Sequence, residues 1–132
     1  MTEDQKVRVL VVDHEPKLVS VFKEILARFG IEAIGLDNHS QALANYKPGY
    51  YNGLIIGIRI TTIYGMELSL KVWQLDPNVY ICFTSVTDLI ELKPIMEKEF
   101  LSNPYSFVKL PIVTSDIINL VKTNFVRAKQ RR

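Results

Sequence analysis

Short apolar runs alternating with amphipathic segments predict an α/β fold, a doubly wound five-stranded parallel sheet. Three observations carry that expectation. The apolar runs, such as residues 7–12 and 54–58, are nearly continuous, as in strands covered on both faces. Between them, apolar residues recur at spacings of three and four, the mark of a helix with one buried face. The chain has 132 residues, 48% hydrophobic and 23% charged, which suits one domain with a sizeable core and does not suit a disordered chain. Residues 1–132 are therefore expected to form a single domain, with a core over 7–126 and a basic tail over 127–132.

The elements follow in order. Strand one is 7–12. Leu18, Phe22, Ile25 and Phe29, with Val19 and Leu26 beside them, form one face of a first helix. Pro16 opens that helix and Gly30 closes it. A second strand covers 31–36, and a short helix over 40–46 ends before Pro48. Asn52-Gly53 reads as a loop entering the third strand, 54–58, because no hairpin partner lies just upstream. Met66, Leu70 and Trp73 stripe a helix over 66–75, which ends in the turn residues Asp76-Pro77-Asn78. The fourth strand is 79–83. Pro94 marks the start of a fourth helix reaching about Phe100, and Asn103-Pro104 breaks the chain again. The fifth strand is 105–108. Thr114 is expected to cap a last helix with Ile117, Ile118, Val121 and Phe125 on its inner face. In such sheets the site lies beyond the carboxyl ends of the strands. That directs attention to 13–15, 57–65, 84–88 and 109–111.

Bulk properties narrow the function. A net charge of +2 and a pI near 8.7 do not by themselves point to nucleic acid or membrane. Cys82 is the single cysteine and sits in an apolar run, so it reads as a small buried hydrophobe. Residues 1–6 are polar and do not read as a signal peptide, and no apolar run approaches the ~20 residues of a membrane span. The expected location is the cytoplasm. The run Arg127-Ala128-Lys129-Gln130-Arg131-Arg132 is the one block of like charge, read first as a solvated helix end.

The strand ends carry a resemblance. Strand one runs into Asp13-His14-Glu15-Pro16. The third region reads Leu54-Ile55-Ile56-Gly57-Ile58, with Gly65-Met66 further on. The fourth strand ends Phe83-Thr84-Ser85, and the fifth reads Phe107-Val108-Lys109-Leu110-Pro111-Ile112. Five such motifs in order, over nearly the whole chain, resemble the receiver domain of two-component response regulators, with its (βα)5 flavodoxin-like fold. The resemblance implies several roles. Gly57 falls at the phospho-acceptor position and offers no nucleophile. Asp13 remains of the usual acid pair, with His14 in the second place. Thr84 holds the hydroxyl position. In the lysine-proline turn, Leu110 stands before Pro111 where the family has lysine, and Lys109 is one residue early. A one-residue shift turns a strand side chain to the other face, and a bulge would be needed to bring Lys109 back. Thr61 replaces the loop proline. Phe107 stands where receivers carry an aromatic switch residue, and reads equally well as a core residue.

The function so implied is a receiver without phosphoryl chemistry, a pseudo-receiver in phosphorelay signal transduction that is not an enzyme. It would act by protein–protein interaction with a kinase, another receiver or an output domain. It would also self-associate through the face of helix four, strand five and helix five, near Phe107 and along 117–125. No cofactor is expected. Mg²⁺ prefers carboxylate and water oxygens in an octahedron, and Asp13 alone is a poor site. No metal is expected at His14 either, because one His and one Asp are too few ligands and His39 belongs to another loop. Two alternatives use other features. One is a nucleic-acid-associated regulator working through the tail 127–132, with Lys47, Tyr50 and Tyr51 as a stacking patch that reads more simply as loop packing. The other is the N-terminal receiver of a longer regulator.

Overall fold

The computed structural model describes residues 6–58, 64–86, 93–100, 103–111 and 113–126. Five parallel strands alternate with helices: β1 Arg8–Val12, α1 Pro16–Arg28, β2 Glu32–Leu36, α2 His39–Ala44, β3 Gly53–Gly57, α3 Tyr64–Leu75, β4 Tyr80–Ser85, α4 Lys93–Phe100, β5 Tyr105–Lys109 and α5 Thr114–Asn119. The strand order is β2-β1-β3-β4-β5. The chain moves outward from β1 to one edge, returns, and fills the other side. The reversal of strand order falls between β1 and β3, and in such sheets ligands bind beyond the strand ends at that point.

The central strands are apolar on both faces because both faces are covered. Leu10, Val12, Leu54, Ile56, Ile81 and Phe83 pack with Val72, Trp73, Met96 and Phe100 from α3 and α4. Val9, Val11, Ile55 and Cys82 pack on the other side with Val19, Phe22 and Leu26 of α1 and with Leu120, Val121 and Phe125. Gly53 lets that second layer close tightly: the Phe125 ring occupies the space a Cβ would need. Trp73 is buried, and its Nε1 donates to the Val79 carbonyl at 2.9 Å, pinning the end of α3 to the start of β4.

The helix ends follow local chemistry. Pro16 occupies the first turn of α1, where its missing N–H costs nothing. Glu15 caps that helix, its carboxylate accepting from Lys17 N at 3.4 Å. The chain leaves α1 through Gly30 at φ +73°, a conformation glycine adopts freely. Asn38 caps α2 through Gln41 N at 3.0 Å.

Several expectations change. Phe29 is 40% exposed and lies outside the buried face of α1, which is Val19, Phe22 and Leu26. It sits at the C-cap, where the helix has already turned away. β4 runs two residues past Phe83, to Ser85, because β3 and β5 both continue pairing with it. Val113, not Thr114, stands at the cap position of α5. Past Asn119 the helix widens into a π-helical stretch, Leu120–Phe125. Leu120, Val121 and Phe125 face inward, and Ile118, in the α-helical part before them, lies to the side of that stripe and is exposed. Thr61, Ile112 and the tail 127–132 lie outside the described residues, as do 59–63 and 87–88 of the two central loops.

Candidate functional site

The carboxyl ends of the strands bring most of the expected residues together. Asp13 is the first residue past β1. Its backbone N–H donates to the Leu36 carbonyl at 3.2 Å, and its Oδ1 accepts from Glu15 N at 2.8 Å. The carboxylate is thereby held inward at only 7% exposure. Gly57 ends β3, in register with Thr84 of β4. A Cβ built at Gly57 would overlap Asp13 Oδ2, with Asp13 Cγ at 2.7 Å. The carboxylate therefore fills the space that a side chain at 57 would enter. Thr84 is 1% exposed, and its Oγ1 has no hydrogen-bond partner among the described residues. Its carbonyl accepts from Ile58 N at 2.8 Å, which carries the β3–β4 contact one residue past the strand.

Lys109 does not join this group. The β4–β5 register is regular, pairing Thr84 with Val108 and Ser85 with Lys109, with no bulge. Strand side chains alternate between faces. Val108 and Leu110 pack with the α1 layer, on the side of Ile55 and Cys82, while Phe107 packs with the opposite layer. Lys109 thus follows Phe107's face and is exposed. Leu110 is buried at the end of β5, its N–H donating to the Ser85 carbonyl at 2.7 Å, and a cis bond joins it to Pro111. Where the resemblance places a cation, the structure places an apolar side chain. Phe107 is half-buried against the core and pairs with Phe83.

The sequence missed one neighbour. His39 is not remote from His14: it opens α2, and the two rings lie 4.4 Å apart between centroids, tilted by 50°. Burial lowers the His39 pKa from the ordinary 6.5, and repulsion from His14 adds to this, while the Asp13 carboxylate opposes it. The only sequence signal was that both residues sit at carboxyl ends, of β1 and β2, and those two strands prove to be adjacent. Lys47 and Tyr50 are also accounted for. The Tyr50 ring carries Arg8 at 4.5 Å and Lys47 at 5.2 Å, and its edge meets the buried Tyr51, so these aromatics pack within the protein. An open depression of about 90 Å³ between α2 and α3 is lined by His39, Ser40, Leu43, Glu67, Leu68 and Lys71. It is far smaller than an ordinary small-molecule site.

The sequence matches no family model and no curated relative. Solved structures match it closely in shape. A CheY-like response regulator receiver domain protein from Methanospirillum hungatei superposes with a TM-score of 0.80, over 96% of this chain and 99% of its own, at 18% identity. The fold is the flavodoxin-like receiver fold. The non-phosphorylated receiver domain of HemR from Leptospira biflexa aligns at 0.77 over 91% of this chain and 94% of its own, with 15% identity. A Rhodopirellula baltica structure described as an adenylate cyclase aligns at 0.76, over 96% and 91%, with 22% identity. At these identities the likeness is one of fold. Among the described residues, no helix of this receiver-fold chain is long and apolar enough to cross a membrane.

Proposed function

We propose that this receiver-fold domain serves signal transduction as a phosphorylation-independent interaction module. The packing of Gly57 against Asp13 carries the reading. Phosphoryl transfer needs a nucleophilic oxygen and positive charge to balance the phosphoryl oxygens. Position 57 supplies no oxygen, and the Asp13 carboxylate brings negative charge into the space where the acceptor would stand. The lysine place holds buried Leu110, and Lys109 lies on the other face of the sheet. The residues also do not fit Mg²⁺. One oxygen of Asp13 is already engaged by Glu15 N, and the adjacent positions are an imidazole and a glycine. Without a covalent switch, the domain responds only to partners that favour one of its conformations.

The interaction face runs along α4, β5 and α5. Val113 and Ile118 expose apolar surface there, at 53% and 37%. The partner is a signalling protein: a kinase, a second receiver or an output domain. The test has two arms. Incubation with a small-molecule phosphodonor and Mg²⁺ leaves the intact mass unchanged; a gain of one phosphoryl group overturns phosphorylation independence. The domain, used as bait, retains a signalling protein at physiological salt, and Ile118→Glu loses it. Retention of nucleic acid alone, released by salt, would move the function to the basic tail.

A further inference from the structure

His14 lies in the loop after β1 and His39 opens α2, yet their rings stand 4.4 Å apart. Two imidazoles on one ion, at ~2.0–2.1 Å per Zn–N bond, hold their centroids about 4.5 Å apart at a right angle and about 5 Å apart at a tetrahedral one. The observed spacing is already close to the first value. We propose that His14 and His39 form a two-imidazole site for a late first-row divalent metal ion, with Asp13 beside it and water in the remaining positions.

Three features support this assignment. His14 is exposed, so an ion reaches the pair from solvent. His39 is partly buried at the start of α2, with its ring set against that of His14. Asp13 is electrostatically coupled to His39 and supplies negative charge next to the pair. The ligand type sets the selectivity: imidazole suits zinc, copper and nickel, whereas magnesium requires oxygen. Among the described residues, no three His, Cys, Asp or Glu side chains converge as a cage. The site is therefore an open one, exchangeable rather than structural. A bound ion would tie the loop after β1 to the start of α2. The proposal does not depend on the interaction reading above.

Calorimetric titration of the whole chain with Zn²⁺ tests it, with Mg²⁺ as the comparison. One Zn²⁺ binds per chain. His14→Ala and His39→Ala each weaken binding tenfold or more, and Mg²⁺ gives no competing heat. Unchanged Zn²⁺ affinity in the double variant would overturn the site. A second measurement needs no variant. The chain has two histidines, so Co²⁺ added to the wild type should broaden both ring signals in the NMR spectrum together. Broadening of neither, or of one alone, also overturns it.

Discussion

At the scale of the residue, Gly57 and Asp13 share a space sized for one side chain. A methyl group at 57 meets the Asp13 carboxylate, so Gly57→Ala should destabilise the domain by about 1–3 kcal/mol through overpacking. In an Asp13→Ala background the same change should cost much less. A double-mutant cycle read by chemical denaturation measures the difference. Equal costs in both backgrounds would mean the two residues do not contend. The sequence shows the identities of Asp13, Gly57 and Thr84 and places them at strand ends, since the carboxyl-end rule depends only on element order. It does not show their contact. A clash between residues on neighbouring strands depends on register, which is set by the packing of whole helices. The His14–His39 pair was hidden for the same reason. Lys109 was more legible, because the period of two along a strand already assigned it to the wrong face.

At the scale of the element, the loop after α2 is fastened to the end of α3 by one carboxylate. Asp76 is buried and accepts from Tyr46 Oη at 2.8 Å and from Gly49 N at 3.0 Å. Asp76→Ala removes that acceptor from both donors and should cost about 1–3 kcal/mol, with Asp76→Asn costing less because one oxygen remains. Thermal unfolding of the two variants gives the order; equal losses would show that shape, not the acceptor, matters. The sequence reads Asp76-Pro77-Asn78 as a turn and has no means of showing this anchor, whose donors lie far away along the chain. Helix existence was legible throughout because apolar spacing is local information. The inner faces of α1 and α5 were legible only in part. Phe29 sits past the last helical turn, and Ile118 lies to the side of the stripe formed by Leu120, Val121 and Phe125.

At the scale of the molecule, the alternation of strand and helix was enough to predict a parallel sheet with helices on both faces, and the order β2-β1-β3-β4-β5 meets that expectation. Stability should carry a pH signature of the fold. His39 has a folded pKa below its ordinary 6.5, through burial first and His14 second. Below 6.5 the unfolded chain therefore binds this proton more readily than the folded one, and stability falls as the pH drops through 6.5 toward the folded value. Above that window His39 contributes no slope. His39→Gln should flatten the melting temperature between about pH 5 and 7 in metal-free buffer, relative to wild type. An unchanged slope would assign the effect to other groups. The buried aromatic cluster has a consequence of another kind. Trp73 is the chain's single tryptophan, enclosed edge-on by Phe100 of α4 at 5.0 Å and by Phe83 at 6.3 Å. Its emission comes from a dry, aromatic enclosure with one wall made by α4, so the domain contains its own optical gauge of whether that helix stays seated.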